Sequence, residues 1–304
     1  MTDSDWLAQQ FETQRPHLRG VAYRMLGSIS EADDAIQEAW IRLSRTDADD
    51  IDNLRAWLTT VVARVCLNML RSRKARQETQ LEPHMPDPIV STSDGTDPEQ
   101  AALLGDSIGL ALLVVLDTLS PAERVAFVMH DVFAVPFDEI APVVGKTPAA
   151  ARQLASRARR RVRGAPVPDA DLDGQRKVVD AFLAAARNGD FEGLLAVLDP
   201  DVVFTSDGGV RRPGFRRVVR GAEAVAAGSR GFRRFADNSR RVLVNGTPGV
   251  VAWAPSGEIL AVASFIVRGG RIVSVDALAD PDRLRELDLS LETDGGRPST
   301  AGRT

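Results

Sequence analysis

Cysteine is almost missing: 304 residues hold one, Cys66. That excludes an internal disulfide and a multi-cysteine zinc site. Set in Val65-Cys66-Leu67, the thiol reads as a small core residue. Long hydrophobic runs are also lacking. No stretch approaches the roughly 18 uncharged apolar residues of a membrane span. The opening MTDSDWLAQQ has neither the basic nor the apolar region of a secretory leader. The chain is therefore expected to be cytoplasmic, with no membrane partner. Histidine is scarce too: the last of three is His130, so no His–Asp base pair can form in the final third. No cofactor, no metal and no catalysis are expected.

What is present is unevenly placed. Net charge is −4, the wrong sign for the basic footprint of a nucleic-acid binder. The average conceals clusters: acidic residues crowd 31–38 and 47–52, basic ones 71–76 and 152–163. The sequence divides into helical patterns over 1–76, a proline-rich linker at 77–98, helical patterns at 99–163 and a second linker at 164–173. Mixed helix and strand follow over 174–290, and a disordered tail is expected over 291–304.

In the acidic helix, Ser30 and Asp33 make a capping-box-like start. Ala32, Ala35, Ile36, Ala39, Trp40 and Leu43 form one apolar stripe, throwing Asp33, Asp34, Gln37 and Glu38 onto the other side. A solvated face would look the same. The next helix, capped by Asp52 or Asn53, buries Leu54, Trp57, Leu58, Val61, Val62, Val65 and Met69. Its far end carries Asn68, Arg71, Arg73, Lys74 and Arg76. Cations there offset the helix dipole, and they would equally make a phosphate clamp.

Further on, Ser120-Pro121-Ala122-Glu123 is a capping box. A short helix at 137–144 turns at Gly145-Lys146 into a third, capped by Thr147 with Pro148 behind it. Pro142 inside the short helix predicts a bend or an early end. The third helix buries Ala151, Leu154, Ala155, Ala158 and Val162 and shows Arg152, Gln153, Ser156, Arg157, Arg160 and Arg161 on its other face. A capped, arginine-rich second helix after a glycine turn is the arrangement of a helix-turn-helix reading the major groove.

The final third opens with an amphipathic helix at 175–187, followed by strands at 202–205, 241–245, 250–253, 259–267 and 272–276. Arg268-Gly269-Gly270-Arg271 signals a hairpin between the last two. This is an α+β cone, in which Asp207, Trp253 and Asp276 are candidates to line a pocket.

The order DWLAQQFETQRPHLRGVAYRMLGSISEADDAIQEAWIRL, then DNLRAWLTTVVARVCLNMLRSRKAR, resembles the sigma-2 domain of extracytoplasmic-function sigma-70 family factors. Residues 117–163 resemble the sigma-4 domain. The final third resembles SnoaL-like members of the NTF2-like superfamily. Its stretch Asp199-Pro-Asp-Val-Val-Phe-Thr-Ser-Asp-Gly-Gly209 is similar to the signature of SigJ-type factors, which carry this extension. His84-Met-Pro-Asp-Pro88 resembles their proline-rich interdomain motif, with His84 where tryptophan usually stands. The resemblance implies a multidomain protein of all-α sigma-2 and sigma-4 domains followed by the cone. It implies a non-catalytic subunit that gives RNA polymerase its promoter specificity. Asp33, Asp34, Gln37 and Glu38 would meet the clamp of the core enzyme, and residues 54–74 the −10 element. The sigma-4 domain would meet the −35 element and the flap. The extension would modulate activity by touching the sigma domains. Read without the resemblance, a stand-alone helix-turn-helix regulator with an effector-binding cone, or an enzyme tethered to DNA, fits the same residues.

Overall fold

The structure, a computed structural model, describes residues 3–46, 51–77, 85–91, 110–163, 168–228, 238–254 and 256–287. Three helices come first: α1 (Asp3–Leu26), α2 (Ile29–Leu43) and α3 (Leu54–Gln77). Gly27, in the left-handed region at φ 73°, stops α1. Ser28 is then the first extended residue, and its hydroxyl accepts from the Glu31 amide at 3.5 Å. Ser28 is thus the cap of α2, two residues before the expected Ser30. Buried Ala32, Ala35, Ile36, Ala39 and Leu43 hold α2 to the core. Half-buried Trp40 packs on Phe11, ring centroids 5.0 Å apart. The Asn53 side chain caps α3 by accepting from the Ala56 amide at 3.1 Å.

The second helical unit comprises α4 (Leu110–Asp117), α5 (Pro121–Phe127) running on into a π-helical turn (Val128–Val132), α6 (Phe137–Val144) and α7 (Pro148–Val162). Both halves of the Ser120–Glu123 capping box are made. Pro142 does not end α6, which reaches Val144 and stops at Gly145 with φ 69°. The Lys146 amide then donates back to the Ala141 carbonyl at 3.0 Å. Thr147 accepts from the Ala150 amide and starts α7. Ala151, Ala155 and Ala158 are buried, whereas Leu154 and Val162 are only half-buried. The small alanines set α7 close against its scaffold.

The last unit wraps α8 (Leu172–Asn188), α9 (Phe191–Val197) and α10 (Ala222–Gly228) against one sheet, followed by α11 (Pro281–Glu286). Its strands are β2 (Leu198–Asp207), β3 (Arg217–Arg220), β4 (Ser239–Val244), β5 (Thr247–Trp253), β6 (Ile259–Arg268) and β7 (Arg271–Leu278). The order is β1-β4-β5-β6-β7-β2-β3, antiparallel except for the β2–β7 pair. Gly269 and Gly270, both at positive φ, turn β6 into β7 with Arg268 opposite Arg271.

Strand β1 (Val90–Ser91) lies in the segment read as linker and pairs with β4, Val90 opposite Val244. Met85, Ile89 and Val90 are buried. Within the connection between the helical units, Val90 and Ser91 are therefore an edge strand of the cone's sheet; His84 lies outside the described residues.

Period-2 alternation divides the sheet between two cores. Val250, Ala263, Phe265, Val275 and Ala277 pack with Phe182 and Leu183 of α8. Val242, Val244, Val251, Val262 and Leu278 face the other way and join one continuous core with the helical units. The cone is thereby fastened to both helical units through the outer face of its sheet.

Candidate functional site

Along α7, Arg152, Gln153, Ser156, Arg157, Arg160 and Arg161 are all exposed. Arg161 leans on Glu123 at 2.9 Å while its side chain remains 54% exposed, and the Arg152 guanidinium stands 5.2 Å over the Phe137 ring. Both contacts tether the stems and leave cationic edges toward solvent. Arg159, by contrast, is used internally on Asp131.

At the end of α3, Asn68, Arg71 and Lys74 are exposed. Arg73 departs from the expectation of a free DNA-facing cation. It donates to the Leu26 carbonyl at 3.0 Å, pairs with Glu31 and lies 3.8 Å from Asp117. The cause is geometric: two residues past Arg71, Arg73 points into the seam between the helical units. Arg124, also in that seam, is buried and pairs with Asp117 at 2.8 Å. Its Nε and Nη2 find no hydrogen-bond partner among the described residues.

On α2, Asp33, Asp34 and Gln37 are exposed and Glu38 is half-buried. Arg19 holds Asp33 through two contacts, at 2.8 and 3.1 Å, and Arg42 holds Glu38 at 3.0 Å. Asp34 and Gln37 carry the remaining polar surface.

The pocket expected at Asp207, Trp253 and Asp276 is elsewhere. A 560 Å³ cavity opens on the inner face of the sheet, lined by Phe182, Phe204, Phe215, Phe265 and Val275 among others. None of the three expected residues lines it. Register explains the misplacement: Phe204 pairs with Val275 and Ser206 with Ala277 on the cavity side, so Thr205, Asp207 and Asp276 point outward. Trp253 packs on the core shared with the helical units. Asp276 is buried, accepting from Ser274 at 3.0 Å and from Thr205; burial holds its carboxyl up to about 6.

Asp207 instead belongs to a latch that the sequence did not disclose. Its Oδ1 accepts from the Gly209 amide at 3.0 Å, the turn role expected for Asp-Gly-Gly. A Cβ at Gly208 would fall 2.2 Å from the Arg212 carbonyl, so only glycine fits there. Oδ2 accepts from the Met85 amide at 3.2 Å and from Arg283 at 3.1 Å. Arg283 donates onward to Asp87 at 2.9 Å and to the Met85 carbonyl. Asp87 in turn accepts from the Ile29 amide at 3.1 Å, and its own amide donates to the Gly27 carbonyl at 2.7 Å.

A second knot lies beside it. The Tyr23 hydroxyl donates to the Asp87 carbonyl at 2.6 Å and accepts from Asn245 at 2.9 Å; Asn245 Oδ1 accepts from the Ile89 amide at 3.0 Å. Asn245 has φ 50° at the head of an Asn245-Gly246 turn joining β4 and β5. That dipeptide was the available signal, since Asn-Gly marks a type I′ hairpin.

A three-helix unit, a helix-turn-helix with an exposed arginine face and a cone fastened across both define a DNA-reading regulator of transcription rather than a free-standing cone protein. Comparison with known proteins agrees along the whole chain. The model of Sigma-70 region 2 matches residues 11–76, that of Sigma-70, region 4 residues 109–162, and that of the SnoaL-like domain residues 179–277. The ECF RNA polymerase sigma factor SigJ of Mycobacterium tuberculosis is 40% identical over 289 residues, 90% of this chain and 92% of that protein. The probable ECF RNA polymerase sigma factor SigI of the same organism is 35% identical over 302 residues, 96% of this chain and 99% of that one. The crystal structure of M. tuberculosis SigJ superposes with a TM-score of 0.75 at 36% identity, covering 93% of this chain and 99% of that chain. The chain belongs to the family of extracytoplasmic-function RNA polymerase sigma factors. The stand-alone regulator is the less favoured alternative.

Among the described residues no helix is long and apolar enough to cross a membrane, and no group of three His, Cys, Asp or Glu could hold a metal.

Proposed function

We propose that this sigma factor docks on the polymerase clamp through Asp33, Asp34, Gln37 and Glu38, and on the flap through its helix-turn-helix unit. Asn68, Arg71 and Lys74 would hold the −10 strand, and Arg152, Gln153, Ser156, Arg157, Arg160 and Arg161 the −35 duplex. Arg73 would join the first group once the seam opens. The role is recruitment and positioning, without chemistry of its own.

The extension acts as a restraint. The observation that carries this reading is that residues 85–91, part of the connection between the two DNA-reading units, are held by the cone, with Val90 and Ser91 paired to β4 as an edge strand of its sheet. β4, Arg283, Asp207 and Asn245 fix residues 85–91 to the cone. Two units that must reach separate promoter elements are then kept packed on one another. The seam itself is charged, with Arg73, Arg124 and Asp117 in it. Buried ion pairs of this kind contribute little net stability, so the shared apolar core and the latch together hold the units.

Run-off transcription with core polymerase tests the proposal. Promoter-dependent product is expected from the full chain, and a changed yield from Arg283→Ala and from a chain ending before α8. Equal yield from all three would remove the restraint; no product from any would remove the assigned surfaces.

A further inference from the structure

We propose that the cavity of the cone binds an apolar acid, a flat or extended hydrocarbon body ending in one carboxylate, and that β2 passes its occupation to the latch. The sensing half rests on the restraint proposed above; the binding half does not.

The cavity's 560 Å³ lies within the range of small-molecule sites. Its lining is aromatic and aliphatic, and its polar members are already engaged. The Ser206 hydroxyl donates to the Phe215 carbonyl. Arg212 donates to the Leu260 and Ala279 carbonyls at 3.3 and 3.4 Å. The surface that remains inside is hydrocarbon and suits an apolar body.

Charge selects the head group. Among the described residues no aspartate, glutamate or histidine lines the cavity, while two arginines do: Arg217 and Arg212, the latter 3.7 Å from Glu258. Arg217 is exposed, lies 5.8 Å over the Phe204 ring and has no carboxylate partner among the described residues. An anion is therefore favoured and a cation is not. Among the described residues the same lining offers no side chain suited to general acid–base work at neutral pH, which points to binding rather than turnover. An apolar side chain stands at the mouth: Phe215 lines the cavity and is 51% exposed.

Coupling follows from adjacency. Ser206 lines the cavity and Asp207, the next residue of β2, holds Met85 and Arg283 on the opposite face. A ligand pressing on Phe204, Ser206 or Phe215 bears on the strand end that closes the latch.

The test titrates the full-length protein, without polymerase, with dodecanoate, 9-anthracenecarboxylate and dodecan-1-ol by calorimetry. Hydrogen exchange is followed at residues 85–91. Saturable one-to-one binding of at least one acid is expected. Arg217→Glu, an exposed substitution, should weaken that acid about tenfold and leave the alcohol unchanged. Ala263→Phe, which fills the cavity, should abolish both. Exchange at 85–91 should shift at saturation. No saturable binding of either acid, or unaltered acid affinity in Arg217→Glu, overturns the site. Binding with unaltered exchange overturns the coupling. Because polymerase is absent, a failed transcription assay leaves the binding result standing.

Discussion

Arg283 reaches Asp207 at 3.1 Å across the outer face of the cone, and the same guanidinium reaches Asp87 at 2.9 Å. The two carboxylates come from opposite sides of a domain boundary, one from the last residue of β2, the other from the connector between the helical units. Side-chain exposure is 14% for Arg283, 13% for Asp87 and 6% for Asp207. A planar fork of donors facing two acids suits arginine and would not suit lysine.

Arg283→Ala leaves Asp87 without its cation, and Asp207 with only Arg216 at 3.8 Å, in a largely dry site. Loss of one partner from a buried pair costs roughly 3 kcal/mol. Thermal or urea unfolding should register a loss of that order, with faster exchange at residues 85–91. Arg283→Lys should recover only part of it. Unchanged exchange in Arg283→Ala would mean that β1 pairing alone holds the connector.

Asn245→Ala removes the acceptor of the Ile89 amide and the donor to Tyr23, and it places a non-glycine Cβ without side-chain compensation at φ 50°. Each buried group left unpaired costs about 1–3 kcal/mol, and the left-handed backbone adds about 1 for alanine. A total near 3 kcal/mol is expected in denaturant unfolding. Tyr23→Phe, which leaves the Asn245 amide nitrogen and the Asp87 carbonyl unpaired without straining the backbone, should cost about 2 kcal/mol. The double variant should fall short of the sum, because the two side chains share one bond.

These residues also show where sequence reading succeeded and where it stopped. The stripes of α2 and α3, the capping box at Ser120, the Thr147 start of α7 and the Gly269-Gly270 hairpin are local: each is decided by neighbours within one or two turns. Ser28 displaced Ser30 as a cap because Gly27 ended α1, a detail of chain direction that spacing alone does not contain. Asp207 serves the local Asp-Gly-Gly turn through the Gly209 amide; its second role needs Met85 and Arg283, 122 and 76 positions away. Proline-rich composition marked residues 77–98 as connector, but edge pairing with β4 is set by a strand some 150 residues later. Trp253 and Asp276 were assigned to the pocket for chemical type, and pleat parity put them on the other face.

Asp276 should give the protein a pH-dependent stability. Burial raises its carboxyl from 3.8 to about 6, so between those values the folded state binds the proton and the unfolded state has released it. Stability therefore falls as pH rises through that window, by roughly 3 kcal/mol, and is level above it. Asp276→Asn should be the more stable protein at pH 8 and no more stable at pH 3.5. His17, pushed down to about 4 by burial and by Arg55 and Arg24, acts in the opposite sense over much of the same range. The difference between wild type and Asp276→Asn, rather than either curve alone, isolates the aspartate.

The exposed arginines of α7 and the exposed end of α3 should separate from Arg73 by their response to salt. A cation that neutralises one phosphate changes the slope of log affinity against log salt by about 0.9. With the polymerase holoenzyme on promoter DNA, Arg157→Ala and Arg160→Ala should each lower the slope by that amount, as should Lys74→Ala. Any of these that contacts a base rather than a phosphate should instead lose discrimination at one promoter position with little change of slope. Arg73→Ala should behave differently in the free protein. With Glu31 and Asp117 left facing a seam that holds Arg124, it should lose folding stability where the exposed substitutions do not. If Arg73 enters the −10 contact after the seam opens, its slope on the holoenzyme should also fall, so a stability loss with an unchanged slope would confine Arg73 to the seam.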